Sequence, residues 1–113
     1  MAENVKKYLL DIAEAIDHIE QFTSETPIFF DYEKNLLVRR AVERELGIIG
    51  EAINKLLQMD EHVEIEHARR IVDVRNRIIH GYDKVDDAVI WGILVRHLPK
   101  LKIEIDTLLG PSE

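Results

Sequence analysis

The stretch Leu46-Gly47-Ile48-Ile49-Gly50-Glu51-Ala52 lies in the middle of a long helical pattern, which predicts one helix over about Asp31 to Gln58. Apolar side chains recur along this pattern at helical spacing. They form two stripes: Val42, Leu46, Ile49, Ile53 and Leu56 on one face, and Leu37, Ala41, Ile48 and Ala52 on another. Because a lone small bundle rarely buries a helix on two sides, the pattern predicts an additional covering surface.

Two glycines interrupt this predicted helix. Each lowers helix stability by roughly 1 kcal/mol relative to alanine. Close approach of another helix would explain Gly47 and Gly50, and so would simple tolerance of glycine. We favour close approach and expect a homodimer interface along this helix.

Three further helices are predicted, and no strands. The first runs from about Asn4 to Phe22 and the third from about Val63 to His80. The fourth begins near Asp86 and contains Pro99, which removes one backbone hydrogen bond and should bend the helix. We therefore expect an all-α fold, arranged as an antiparallel four-helix bundle.

The composition fits one domain spanning residues 1–113. The absence of cysteine excludes disulfides and thiolate metal sites, and it favours a reducing cytoplasm as the location. No apolar run approaches the roughly 20 residues that span a bilayer. The five histidines show no metal-ligand spacing, and no phosphate-binding glycine loop occurs. We therefore expect neither a metal nor a cofactor.

The net charge of -7 argues against broad coating of nucleic acid, which depends on Lys and Arg. The charge is unevenly distributed, however. Between Arg69 and Lys84 there are five basic residues and two acidic ones, so this window carries +3 and the rest of the chain -10. A small basic site suits contact with a few phosphates, for which Arg69, Arg77 and Lys84 are candidates. The alternative is an ordinary solvated basic face.

An arginine in an apolar arc marks the third predicted helix. At roughly 100° per residue, Arg75 falls near the middle of the arc formed by Ala68, Ile71, Val72, Ile78 and Ile79. A buried charge without a partner is very costly, so the guanidinium must meet a carboxylate, a cleft or a partner chain. Asn76 and His80 are four residues apart and share the flank beside it.

These three side chains suit cleavage of an RNA phosphodiester. RNA can supply its own 2′-hydroxyl as the nucleophile, so no metal is required. His80 can take or give a proton near neutral pH, Arg75 can stabilise charge on the phosphoryl oxygens, and Asn76 can orient either group. Protonation of the leaving oxygen calls for a second imidazole, which a two-fold dimer would supply. In the alternative interpretation, Arg75 pairs with a buried Glu43 or Glu51 and His80 only caps the helix.

The stretch from Arg75 to His80 resembles the Arg-x4–6-His signature of HEPN domains, which favours a polar residue after the arginine. Extended to Tyr82, it resembles the Arg-x4-His-x-Tyr motif of HepT-like proteins, known as the DUF86 type. Two further blocks are similar to that family: Leu46 to Ala52 in the second helix, and Val89-Ile90-Trp91 followed by His97-Leu98-Pro99-Lys100-Leu101 in the fourth. The resemblance covers nearly the whole chain.

The resemblance implies a homodimeric HEPN-like bundle with a ribonuclease site where two such motif helices meet. Arg75 would stabilise the phosphate, His80 would act as acid and base, and Asn76 would support them. It also implies a toxin of a toxin–antitoxin pair, with a cognate MNT-type nucleotidyltransferase antitoxin that transfers AMP to Tyr82. On the residues alone, Tyr82 is a packing or base-stacking aromatic. The alternative function is a non-catalytic helical partner that binds and regulates a nucleotidyltransferase.

Overall fold

The computed structural model describes residues 3–59, 65, 71–76 and 86–110. The helices are α1 (Glu3–Thr23), α2 (Phe29–Lys34), α3 (Leu36–Leu57), α4 (described over 71–76), α5 (Asp87–Gly92), a π-helical turn (Ile93–His97) and α6 (Leu98–Leu109). Across these ranges all regular structure is helical and no strand occurs, so the predicted all-α class is confirmed. Within the same ranges, no helix is both long and apolar enough to cross a lipid bilayer.

The core lies mainly between α1 and α3. The apolar stripe predicted for the first helix is buried at Val5, Leu9, Ile12, Ile16 and Ile19. It packs with the first stripe of α3, which is buried at Val42, Leu46, Ile49, Ile53 and Leu56. Each such side chain stabilises the fold by roughly 1.5–3 kcal/mol relative to full exposure. Because α1 covers the first stripe of α3, other elements can contact α3 only on its remaining sides.

The predicted single helix over Asp31 to Gln58 is wrong at Asn35, where the chain leaves helical geometry with φ -100° and ψ 94°. Its side-chain oxygen accepts a hydrogen bond from the backbone N–H of Val38 at 3.0 Å. This bond satisfies one of the free donors at the start of α3, as an N-cap does. Asn35 therefore ends α2 and begins α3.

Pro99 lies in the first turn of α6, directly after the π-helical turn. There the backbone N–H of Leu98 donates to the carbonyl of Ile93, five residues back. A proline inside an α-helix clashes with the carbonyl four residues earlier, and a wider turn before Pro99 reduces that conflict. The bend at Pro99 stays a prediction. So does the four-helix bundle, because the predicted third helix is described over 71–76 alone.

The second apolar stripe of α3 is only partly covered. Ala52 is buried, whereas Leu37 is 80% exposed and Ile48 is 37% exposed. The helix thus presents the apolar side chains of Leu37 and Ile48 to solvent.

Candidate functional site

Arg75 lies on α4 where this helix is in close contact with α3 at Gly50. Its neighbours Ile71, Val72 and Val74 are buried in the core, and they hold α4 against α3. A Cβ placed on Gly50 would collide with the Cβ of Arg75 and stand 2.7 Å from its Cγ. Gly50 therefore admits the side-chain stem of Arg75. Close approach of a helix explains this glycine, but the helix belongs to the same chain.

Gly47 has a different environment. Among the described residues, no atom beyond its chain neighbours and its own helix backbone lies within 4 Å of the point where its Cβ would stand. The contacts that the structure describes therefore account for Gly50 and not for Gly47.

The guanidinium of Arg75 is held by two side chains. Its Nη2 donates to Oε2 of Glu51 in an ion pair, and its Nη1 donates to Oδ1 of Asn76 at 2.8 Å. The Arg75 side chain is 19% exposed and that of Glu51 is 47% exposed, so the pair lies at the edge of solvent. Within the described part of the chain, the buried Nε of Arg75 has no hydrogen-bond partner.

This arrangement leaves hydrogen-bond donors on the guanidinium of Arg75. Each terminal nitrogen of a guanidinium carries two N–H groups. Once Glu51 and Asn76 have each accepted one bond, one N–H remains on each terminal nitrogen as far as the described residues show. Guanidinium N–H groups form strong, charge-assisted hydrogen bonds to the oxygens of phosphates and carboxylates. The remaining N–H groups of Arg75 can therefore donate to an oxyanion.

The structure brings together two of the predicted site residues, Arg75 and Asn76. The remaining predicted residues lie outside the described ranges: His80, Tyr82, Arg69, Arg77 and Lys84. The alternative interpretation of Arg75 is right about one partner, Glu51, which is half-exposed and not buried. Its other candidate, Glu43, pairs with Arg40 at 3.2 Å.

Sequence reasoning did not treat Glu51 as a site residue. The one signal near it was Gly50, which indicates that a helix packs closely beside this part of α3. The rotation of α4 relative to α3 determines whether Glu51 meets Arg75, and the sequence of α3 alone does not specify that rotation.

A second polar cluster lies near the N-terminal end of α3 and has a structural explanation. Arg39 pairs with Asp87 at 3.2 Å beside Tyr32, whose ring packs 5.2 Å from that of Trp91. Tyr32 is fully buried, and burial, with the nearby charge of Asp87, raises the pKa of its hydroxyl well above the ordinary value. Among the described residues, no group of three or more acidic, histidine or cysteine side chains is placed to hold a metal ion.

The described residues form a small helical domain in which one arginine is held between a carboxylate and an amide. A family model described as "Ribonuclease HepT-like" matches residues 12–108. The chain therefore belongs to the HepT-like ribonuclease family, and the resemblance found in the sequence is confirmed.

Two curated proteins illustrate the likeness. The chain is 38% identical over 110 residues to a probable ribonuclease HepT from Thermococcus cleftensis, covering 96% of this chain and 98% of that protein. It is 31% identical over 105 residues to a putative RNase from Methanocaldococcus jannaschii, covering 91% and 94% respectively. None of the solved structures matches the chain significantly.

Proposed function

We propose that this chain is a metal-independent endoribonuclease and the toxin of a HEPN–MNT type toxin–antitoxin pair. The observation that carries the proposal is the clamped guanidinium of Arg75, which keeps one donor on each terminal nitrogen for a phosphodiester. Family membership and the names of the two relatives support RNA as the substrate.

In the proposed reaction the 2′-oxygen of the RNA attacks phosphorus while the bond from phosphorus to the 5′-oxygen breaks. The products are a 2′,3′-cyclic phosphate and a free 5′-hydroxyl. His80 accepts the proton from the 2′-hydroxyl, and a second imidazole donates one to the leaving oxygen. Arg75 stabilises the charge that builds on the non-bridging oxygens. Asn76 keeps the plane of the guanidinium fixed.

A homodimer would supply the second imidazole as His80 of the other protomer. The apolar side chain of Leu37 on α3, which is 80% exposed, supports such an interface, because it favours removal from water. Arg69, Arg77 and Lys84 would bind RNA phosphates around the joint site. We place the protein in the cytoplasm, as a single domain over residues 1–113.

Regulation would come from a cognate nucleotidyltransferase antitoxin that transfers AMP from ATP to Tyr82. The added group carries negative charge and bulk two residues from His80. It would repel an RNA phosphate by the electrostatics that govern other charged modifications.

A second candidate function is a non-catalytic helical partner that binds and regulates a nucleotidyltransferase. The ion pair between Arg75 and Glu51 favours this candidate. Since the charge of Arg75 is already balanced by a carboxylate, its position beside the core does not require a substrate.

Expression of the wild type and His80→Ala separates the two candidates. The ribonuclease predicts growth arrest from the wild type alone, with the dimer intact in both proteins. Equal toxicity, or tight binding to the nucleotidyltransferase without any RNA cleavage, would favour the partner.

A further inference from the structure

A groove of about 590 Å³ runs between α1 and α3 on the surface of the protomer. Its walls include Tyr8 and Asp11 from α1 and Arg44, Ile48 and Glu51 from α3. Gly47 lies in the wall between them, and the open space beside it belongs to this groove. The absence of a side chain at position 47 therefore keeps the groove wide.

The groove is continuous with the arginine site. Glu51 lines the groove and also accepts the hydrogen bond from Nη2 of Arg75. Any chain bound through a phosphate at Arg75 can therefore extend into the groove past Glu51. Along α3, Arg44 lies seven residues from Glu51, about 10 Å at 1.5 Å per residue.

The charges of the groove favour an anion at one place. Each carboxylate in it has a cation: Asp11 pairs with Lys7 at 3.1 Å, Glu43 with Arg40 at 3.2 Å, and Glu51 with Arg75. Arg44 is exposed and has no ion-pair or hydrogen-bond partner among the residues that the structure describes. The charge left over in the groove is thus positive and lies at Arg44.

The size and walls of the groove fit nucleotides better than a protein helix. Its volume lies in the range of roughly 300–1,000 Å³ typical of small-ligand sites. Ile48 is the one large exposed apolar side chain in its described lining, whereas a docked helix needs a series of apolar anchors. Tyr8 is half-buried and offers a ring, on which a base can stack.

We propose that the α1–α3 groove binds the RNA nucleotide next to the phosphate held at Arg75. The base stacks on Tyr8 and the following phosphate binds Arg44. The Nζ of Lys7 lies 4.9 Å from the centre of the Tyr8 ring while it pairs with Asp11, so the base stacks beside a positive charge. This inference rests on the proposed function for the phosphate at Arg75, and it adds a site within one protomer.

The test measures binding of a fluorescein-labelled RNA dodecamer, methylated at every 2′-oxygen so that it cannot be cleaved. Gly47→Leu fills the groove. Gly92→Leu is its matched control, since a Cβ at Gly92 likewise meets no atom within 4 Å among the described residues beyond its own helix backbone and chain neighbours. Gly47→Leu should weaken binding by about tenfold or more, as expected for loss of a stacked base. Gly92→Leu should bind like the wild type. Both should unfold at or above the temperature of the wild type, because leucine is a better helix former than glycine.

The salt dependence of binding to the same RNA is a second measurement. Arg44→Gln should lower the slope of log K against log salt by about 0.7, the value for one phosphate contact on a single strand. Equal RNA affinity of Gly47→Leu and the wild type would contradict nucleotide binding in the groove. Failure of the wild type to bind the RNA would contradict it too. A shift of Gly47→Leu from dimer to monomer would also contradict the proposal, because it would identify the groove as an interface between two copies. The wild type and Gly92→Leu could bind the methylated RNA more tightly than Gly47→Leu while no protein cleaves unmodified RNA. That result would support RNA binding in the groove and contradict the ribonuclease function.

Discussion

Gly50 on α3 lies against the side-chain stem of Arg75 on α4 with no room for a Cβ between them. The next residue, Glu51, binds the head of the same arginine. Two consecutive residues of α3 therefore accommodate both ends of one side chain, and they link the packing of the helices to the geometry of the site.

Alanine substitutions at the two glycines of α3 should have opposite effects on stability. Gly50→Ala places a methyl group against Arg75 and should lower the free energy of unfolding by about 1–3 kcal/mol, as overpacking does. Gly47→Ala meets no neighbouring element among the described residues and should raise the free energy of unfolding by up to about 1 kcal/mol. Urea denaturation of the two variants measures both values. A stabilising Gly50→Ala would mean that α4 does not approach α3 as closely as described.

Glu51 should affect catalysis more than stability. Glu51→Ala removes the acceptor of Nη2 and should lower kcat by about 10- to 100-fold, because a misplaced catalytic group reacts slowly. Glu51→Gln keeps an acceptor and should lose less. Because the pair is half-exposed, either variant should change unfolding by less than about 1 kcal/mol.

The matched control is Glu20→Gln, which breaks the exposed pair with Lys102 far along the chain from Arg75. It should leave kcat unchanged. An unchanged kcat in Glu51→Ala as well would show that the guanidinium does not depend on its carboxylate.

Tyr32 should make the protein less stable in alkaline solution. Burial raises the pKa of Tyr32 in the folded state, so above the ordinary tyrosine pKa of about 10 the unfolded chain loses the proton first. The contribution of protonated Tyr32 to the free energy of unfolding is therefore constant below a pH of about 10. It is lost as the pH rises towards the pKa of Tyr32 in the folded state. Tyr32→Phe should remove this loss. It should cost little at neutral pH, because the hydroxyl has no partner within the described ranges. Parallel unfolding curves of both proteins against pH would contradict the assignment.

The exposed end of α3 tests the proposed dimer. Leu37→Glu should shift the protein towards monomer if Leu37 is covered by the second copy, because a charge would be buried without a partner. Val95→Glu is a matched control on another exposed apolar residue, in the π-helical turn. Sedimentation of the two variants gives the comparison, and equal dimer content would place the interface elsewhere.

The features that follow from periodicity could be predicted from the sequence. The stripe from Val42 to Leu56 and the position of Arg75 beside the core depend on helical spacing alone, and both are found in the structure. The break at Asn35 could not be predicted, because asparagine occurs both inside helices and at their starts. The choice between Glu43 and Glu51 as partner of Arg75, and the contrast between Gly47 and Gly50, depend on how α4 is rotated against α3.

The most direct measurement is cleavage of a labelled RNA by purified protein in excess EDTA, with His80→Ala as the comparison. The wild type should cleave and leave a 2′,3′-cyclic phosphate, whereas His80→Ala should be slower by at least about 100-fold, the usual contribution of an acid–base group. Both proteins should elute as the same dimer. Cleavage at equal rates, or cleavage by the wild type that requires an added metal ion, would contradict a metal-independent ribonuclease centred on Arg75 and His80.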